Sequence, residues 1–298
     1  TGNNALVSEK NSVPSVEKKV KNGSVYDDSN SAKIGDMVDY QTTITITGNV
    51  KNVVLHDKME KGLTFDNNSV KVRVDNGDVA GSNYTLTTSN LSDGCTFEIE
   101  FKDDYIANLP AGTQIIVTYS ASLNKNAVIG TTGNKNDTWL KYGNGGSVTD
   151  ETKTYSYSFD LVKTDNSNKL LAGAQFELYT NKNCTDKVAL VKDGNGYRVA
   201  SATEKATTNF TSAVIVSNDT SKITVNGLKG ETSYWLKEIK APEGYNELEE
   251  PYEFIMGADN MSATLNGTQW GDGGVHVINN AGTVLPSTGG MGTTVFYV

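Results

Sequence analysis

The sequence predicts an all-β protein of two tandem β-sandwiches. Its apolar residues fall in many short alternating runs with turn signals between them, and no segment keeps a helical period long enough for a long helix. Thr, Val, Tyr and Asn, which favour strands and turns, are abundant beside 29 glycines. A length of 298 residues suffices for two domains of ordinary size. Together these features indicate two sandwiches in series.

The first sandwich is expected over residues 13–148, after a polar and disordered segment at residues 1–12. Its strands are predicted from the alternation of apolar and polar residues, at 14–20, 34–46, 53–59, 70–74, 96–101, 115–120 and 139–142. The glycine-rich stretch 143–147 that follows is interpreted as a linker.

The second sandwich is expected over residues 149–282, with residues 283–298 as a tail beyond it. Its strands are predicted at 155–163, 173–179 and 223–228, within 234–245, around Phe254 and Met256, and from Val275 onward.

Charge and cysteine content exclude several classes of function. The net charge is −9 without a block of Lys and Arg, so nucleic acid is not an expected partner. The two cysteines, Cys95 and Cys184, lack zinc or redox spacing, and two free thiols are favoured over an interdomain disulfide. Phosphate-loop and EF-hand spacings are absent, so no cofactor or metal site is expected. No signal peptide or membrane-spanning run is found, which suggests a chain processed or cut at both ends.

Three polar residues of the second unit share strand faces with apolar ones. Side chains at every second position of a strand share a face. Lys163 therefore shares a face with Phe159 and Leu161. In the same way, Glu238 shares a face with Tyr234 and Leu236, and Asn279 with Val275 and Val277. If the apolar side chains point inward, then these three do so too. Taken singly, each could instead turn to solvent at a strand end; three together indicate chemistry.

A lysine, a carboxyl and an asparagine in one apolar core can form a covalent bond. Burial lowers the pKa of an amine, which makes it a nucleophile, and raises that of a carboxyl, which can then carry protons. The product would be an isopeptide bond between Lys163 and Asn279, with ammonia released and Glu238 shuttling protons.

Two stretches carry a family resemblance. Leu285, Pro286, Ser287, Thr288 and Gly289 follow the last predicted strand, and they resemble the L-P-x-T-G signal that sortases cleave in Gram-positive surface proteins. A second motif consists of Tyr234, Leu236, Glu238, Ala241, Pro242, Gly244 and Tyr245. It resembles the E-box of the CnaB-like, immunoglobulin-fold domains of Gram-positive pilins and adhesins, whose lysine and asparagine match Lys163 and Asn279.

The first unit resembles the larger middle domain of the same shaft pilins. The resemblance implies a CnaA-like immunoglobulin fold and a second crosslink, between Lys18 and Asn136, with Asp57 as the carboxyl. Lys19 remains an alternative to Lys18, and Asn134 to Asn136. A solvated lysine pair beside a turn aspartate is the ordinary alternative.

The resemblance implies a structural subunit of a cell-wall-anchored pilus rather than an enzyme. The implied partners are a sortase, neighbouring pilin subunits or the cell-wall peptide, and a host-surface ligand as a further candidate. The lysine motif V-x-V-Y-P-K of polymerising pilins does not occur in the sequence. A wall-anchored adhesin that does not polymerise is therefore the alternative function.

Overall fold

The computed structural model describes residues 13–257, 263–265, 268–269 and 274–282. The N-terminal part contains twelve strands: β1 Ser15–Asn22, β2 Val25–Asp27, β3 Ser29–Ser31, β4 Met37–Thr45, β5 Val54–Met59, β6 Leu63–Val74, β7 Gly77–Asp78, β8 Tyr84–Thr87, β9 Phe97–Phe101, β10 Gln114–Leu123, β11 Gly130–Tyr142 and β12 Gly145–Gly146. A 3-10 turn at Gly81–Asn83 and helix α1 at Asp103–Ala107 connect some of them.

The C-terminal part adds helix α2 at Ala202–Lys205 and strands β13 Asp150–Thr164, β14 Gln175–Tyr179, β15 Leu190–Asp193, β16 Gly196–Val199, β17 Ile215–Val216, β18 Ile223–Leu228, β19 Ser233–Lys240, β20 Tyr252–Met256, β21 Ala263–Leu265, β22 Thr268–Gln269 and β23 Gly274–Ile278. Helix α2 begins with a capping box between Ser201 and Glu204, which satisfies backbone donors at its N-terminus. In the described part of the chain, no helix is long and apolar enough to cross a membrane.

The first domain has two sheets. One has the strand order β2-β1-β4-β10-β6-β7, and the other contains β13-β11-β5-β9-β8. Burial alternates residue by residue along β4 and β10, which pair antiparallel. Each of these strands therefore has one face in the core and one towards solvent, as the sequence alternation predicts.

In the second domain, one sheet contains β15-β16-β18-β13, and the other has the order β17-β14-β19-β20-β21-β22. The last strand, β23, pairs with β13 in parallel, with Lys163 opposite Val277. A buried aromatic group formed by Phe159, Tyr234 and Phe254 belongs to this domain's core.

Strand β13 belongs to both domains. Residues 150–156 pair with β11, while residues 157–161 pair with β18 and residues 160–164 with β23. Its first residue also holds the first strand, because a carboxylate oxygen of Asp150 accepts a hydrogen bond of 2.7 Å from the backbone N–H of Lys18. The two sandwiches therefore share one uninterrupted strand.

All the strands predicted from sequence have a counterpart in the structure. Most ends agree within a few residues, but β6 and β11 begin well before the predicted strands at 70–74 and 139–142. The predicted linker at 143–147 instead contains β12, which forms a tight hairpin with β11. The domain boundary at 148/149 stays a prediction. Strand β13 starts just beyond it and pairs with strands of both domains. Cys95 and Cys184 are free thiols, as favoured from their separation.

A glycine forms a close contact between the two domains. Gly227 is the extra residue of a bulge in β18 and has φ +92°. Its carbonyl accepts a hydrogen bond of 2.9 Å from the backbone N–H of Ile34 in the first domain. A Cβ atom at this position would lie 2.5 Å from Cδ1 of Ile34.

We therefore expect Gly227→Ala to lower the free energy of unfolding by about 2–4 kcal/mol, because backbone strain and overpacking add. Gly173→Ala is the matched control. Gly173 has φ +85°, but nothing lies within 4 Å of its added Cβ, so it reports the backbone strain alone. Urea unfolding of both variants measures the difference, and equal losses would contradict the importance of the contact with Ile34.

Candidate functional site: two buried sets of lysine, carboxyl and asparagine

The first set combines residues from both sheets of the first domain. Lys18 comes from β1 in one sheet, whereas Asp57 on β5 and Asn136 on β11 come from the other. Alternation along each strand directs the three side chains inward, and all three are 0% exposed.

The Lys18 amine lies within a compact polar group. Its Nζ atom donates a hydrogen bond of 2.7 Å to Oδ2 of Asp57. It also contacts the hydroxyl of Tyr119, which itself donates to Asp57. The rings of Tyr40 and Tyr119 have their centroids 4.9 and 4.8 Å from the amine. Cation–π contacts of this kind stabilise the charged form of an amine that burial has removed from water.

Burial changes the protonation of this set. It lowers the pKa of the Lys18 amine, against the opposing attraction of Asp57. It also raises the pKa of the Asp57 carboxyl, against the opposing effects of Lys18, Tyr119 and Asn136. Both shifts favour the uncharged forms, a free amine and a protonated acid.

The surroundings distinguish the residues that the sequence left as alternatives. Lys19 lies in a surface ion pair with Asp28, 2.6 Å from its carboxylate. The amide of Asn134 is saturated, because it bonds the backbone of Val128 and Thr154. Asn136 lowers the pKa of Asp57, yet neither of its side-chain polar atoms has a partner of regular hydrogen-bond geometry among the described residues. Of these four residues, Lys18 and Asn136 are therefore the ones that lie in the buried group around Asp57.

The second set lies between β13, β19 and the residue after β23. Lys163, Glu238 and Asn279 are 2%, 3% and 1% exposed, whereas neighbouring Asn280 is exposed. The Lys163 amine donates to the carbonyl oxygens of Val277, at 3.1 Å, and Thr164, at 3.2 Å. Burial lowers the pKa of this amine to about 8, against the attraction of Glu238.

Glu238 contacts the nitrogen of the Asn279 amide and not its oxygen. Nδ2 of Asn279 donates 2.9 Å to Oε2 of Glu238 and 2.5 Å to the carbonyl oxygen of Asn246. Since a carbonyl oxygen can only accept, the Asn246 contact fixes the orientation of the amide. The carboxyl of Glu238 therefore makes no hydrogen bond to the amide oxygen of Asn279. Oδ1 of Asn279 has no partner among the described residues.

Two features of the sets were missed in the sequence. Tyr119 bridges Lys18 and Asp57; its inward parity with Ile115 and Val117 on β10 could have identified it as a buried hydroxyl that needs a partner. Backbone groups in the loop after β19 also hold the second set, since the N–H of Leu248 donates 2.9 Å to Oε2 of Glu238. Such backbone contacts depend on loop conformation, which has no residue signature. The sorting-signal residues Leu285–Gly289 lie outside the described residues.

Each set thus presents a buried amine, a carboxyl and a carboxamide. These are the groups needed for attack of an amine on an amide carbon, with a carboxyl next to at least one of the two nitrogens.

Comparison with known families assigns both domains. Residues 34–146 match the model of the Gram-positive pilin backbone subunit 2, Cna-B-like domain, and residues 157–269 match that of SpaA, a prealbumin-like fold domain. The description of the first match differs from the CnaA-like type expected from the sequence. The trypsin-resistant surface T6 protein of Streptococcus pyogenes serotype M6 is 25% identical over 360 residues, which cover 96% of this chain and 66% of that protein. The chain thus spans just under two thirds of this relative.

Solved structures share the fold over almost the whole chain. The group B streptococcus pilus 2b backbone protein superposes with a TM-score of 0.66 at 23% identity, covering 91% of this chain and 99% of that one. Full-length major pilin RrgB from Streptococcus pneumoniae gives 0.66 at 15% identity, covering 91% of this chain and 75% of that one. These likenesses establish the fold, and the two domain models establish the family. The chain belongs to the backbone pilins of Gram-positive bacteria.

Proposed function

We propose that this chain is a structural subunit of a cell-surface pilus, and that each of its domains is closed by a self-formed isopeptide bond. The bonds join Lys18 to Asn136 and Lys163 to Asn279. The observation that carries the proposal is the repetition, in two different sandwiches, of a fully buried lysine next to a carboxyl and an asparagine. Isolated buried lysines are costly, so two such sets favour a chemical role over a structural one.

In the first domain, the neutral amine of Lys18 attacks Cγ of Asn136. Asp57 receives the proton that the amine loses and passes it to the amide nitrogen, which leaves as ammonia. One C–N bond forms and one breaks, so neither an oxidant nor a cofactor is consumed. Tyr119 is a positioning residue, because its hydroxyl binds both Lys18 and Asp57. Close packing supplies the proximity that an otherwise slow amide exchange requires.

In the second domain, Glu238 has the same role for Lys163 and Asn279. Its Oε2 already touches Nδ2 of Asn279, the nitrogen that must be protonated before it leaves. The amine of Lys163 has a pKa of about 8, so roughly a tenth of it is uncharged at pH 7, far more than for an exposed lysine.

The positions of the two bonds suit a mechanical role. The first would connect β1 to β11 across the two sheets, and the second would connect β13 to the end of β23. Force along the chain would then pass through covalent bonds, rather than through strand hydrogen bonds of about 1 kcal/mol each. The matched relatives are described as pilus backbone proteins and major pilins, which supports the same role here.

The sorting-signal resemblance extends the proposal to assembly. A sortase cysteine would attack the carbonyl of Thr288 and release the chain from Gly289 onward. The acyl group would then pass to a lysine of a neighbouring subunit or to the cell-wall peptide. Pilin subunits, a sortase and the wall are therefore the proposed partners, and the Gram-positive cell surface is the proposed location.

Intact mass tests both bonds. We expect the protein to weigh two ammonia masses less than its sequence. Glu238→Ala and Asp57→Ala should each restore one of them, because each removes the proton carrier of one bond. Lys19→Arg and Asn280→Ala are matched controls on the exposed neighbours and should keep the full deficit.

A full mass in the unsubstituted protein would refute both bonds. A single deficit that Glu238→Ala removes would refute the first-domain bond alone. If Asp57→Ala does not fold, peptide mapping of the unsubstituted protein still decides, since it either contains a branched peptide joining Lys18 to Asn136 or does not.

The pKa of Lys163 predicts a pH dependence once its bond is prevented. In Asn279→Ala the amine stays free, with a pKa near 8 when folded and 10.5 when unfolded. Between these values the unfolded chain binds more protons, so the free energy of unfolding rises with pH. The total rise should be roughly 3 kcal/mol across this window, with little change below pH 8.

Denaturant unfolding between pH 7 and 11 measures this rise. The double variant Asn279→Ala with Lys163→Met is the control, since it shares every other titrating group. Parallel curves for the two proteins would show that the pKa of Lys163 is not lowered.

Incubation with a pilus-type sortase tests assembly. A pilus subunit should give a ladder of covalent multimers when an acceptor subunit is supplied, and Thr288→Ala should abolish it because the scissile residue is changed. Single additions to an amine donor, without a ladder, would instead support the wall-anchored adhesin.

A further inference from the structure

A second cluster of reactive side chains lies on the outer face of the first domain. It contains His56 on β5, Glu98 on β9, and Asp93 and Cys95 in the turn that leads into β9. None of these four side chains belongs to the lysine, carboxyl and asparagine sets. His56 is adjacent to Asp57, but strand alternation places the two on opposite faces of the sheet.

The fold brings these four residues together from two distant parts of the chain. His56 and Glu98 are direct partners in the antiparallel register of β5 and β9, so their side chains share a face. The turn before β9 then folds back over them. It is held by a hydrogen bond of 3.0 Å from the backbone N–H of Cys95 to Oδ1 of Asp93, which leaves Oδ2 of Asp93 facing the histidine.

All three other side chains converge on a single nitrogen of the imidazole. Nδ1 of His56 lies 3.0 Å from Oδ2 of Asp93, 3.0 Å from Oε1 of Glu98 and 3.7 Å from Sγ of Cys95. The four potential ligand atoms lie within 4.8 Å of one another. In tetrahedral zinc sites, ligand atoms are about 3.4 Å apart for N and O and about 3.6 Å for N and S, as follows from the usual bond lengths. The three separations from Nδ1 lie within about 0.4 Å of these values, and no pair of the four atoms is more than 4.8 Å apart.

The ring of His56 is held in place by packing. Its ring stacks on Trp139 of β11, with centroids 5.2 Å apart and planes 5° from parallel, and the residue is only 4% exposed. Its other nitrogen, Nε2, is buried without a partner among the described residues. The polar contacts of the ring are therefore directed through Nδ1 into the cluster.

Hydrogen bonding alone satisfies this arrangement poorly. One imidazole nitrogen carries at most one proton, yet two carboxylate oxygens lie equally close to it. The two carboxylates also repel each other. A cation between the four groups would accept one lone pair from each of the four ligand atoms.

We propose that His56, Asp93, Cys95 and Glu98 form a binding site for a divalent transition-metal ion of the zinc type. One thiolate, one imidazole and two carboxylates suit this class, whereas calcium and magnesium prefer oxygen ligands alone. On binding, the thiol of Cys95 loses its proton to solvent and its sulfur bonds the metal. The ion would fasten the turn before β9 to His56 of β5, and the residue after His56 is Asp57.

Cobalt titration tests the site, because a cobalt–thiolate bond has a near-ultraviolet charge-transfer band. The metal-free protein, prepared without a polyhistidine tag, should take up one equivalent of Co²⁺ with this band and with the visible bands of a tetrahedral ion. Zn²⁺ should then displace it. Cys95→Ser should lose the band and bind at least about tenfold more weakly.

Cys184→Ser is the matched control, because it removes the only other cysteine and should leave the spectrum unchanged. Glu98→Gln replaces a half-buried ligand without changing its size and should weaken binding without the loss of the band. Zn²⁺ should also raise the melting temperature of the unsubstituted protein and of Cys184→Ser, but not that of Cys95→Ser.

A band that survives in Cys95→Ser would overturn the assignment of the sulfur ligand. Absence of any cobalt uptake by the folded, metal-free protein would overturn the site itself. Circular dichroism without metal keeps the result interpretable, since all variants should match the unsubstituted protein before titration.

Discussion

In the first domain, the Nζ atom of Lys18 lies 2.7 Å from a carboxylate oxygen of Asp57, and neither side chain reaches solvent. A buried ion pair gains little over an apolar core, whereas removing one of its partners costs about 3–5 kcal/mol. The surrounding structure is arranged to hold this contact. Tyr40 and Tyr119, on strands of the same sheet as Lys18, flank the amine with their rings, and burial shifts the pKa values of Lys18 and Asp57 towards the uncharged forms.

The second domain has the same three types of residue in a different arrangement. Lys163 lies near the end of β13, and Asn279 directly follows β23, the parallel neighbour of that strand. In the first domain, the lysine and the asparagine instead come from opposite sheets. In the second domain, the carboxyl also touches the amide nitrogen and not the amine. The two sets are alike in composition and burial and differ in which partner the carboxyl holds before any reaction. A proton carrier can therefore start from either end of the same exchange.

Strand alternation was enough to predict the inward positions of Lys163, Glu238 and Asn279, because a period of two fixes the face once the apolar residues are known. Alternation could not separate Asn134 from Asn136, which have the same parity. Only the surrounding contacts do so, since one amide is saturated and the other is not. The cluster around His56 was not predicted, because its members come from segments that only strand pairing brings together. Similarly, no residue pattern predicts that a single strand, β13, pairs with strands of both domains.

That shared strand limits how the protein can be divided. A fragment that ends before Asp150 would leave β11 without its neighbour along Asn134–Thr138 and so expose an open edge of backbone donors and acceptors. Open edges of this kind pair with other chains and promote aggregation. A fragment that starts after residue 156 would keep the part of β13 that pairs within the second domain. It would lack residues 150–156, which pair with β11 of the first domain. The two domains are therefore distinct in core and chemistry, but they are not exchangeable modules. Recombination at this junction would have to carry β13 together with both of the sheets that it completes.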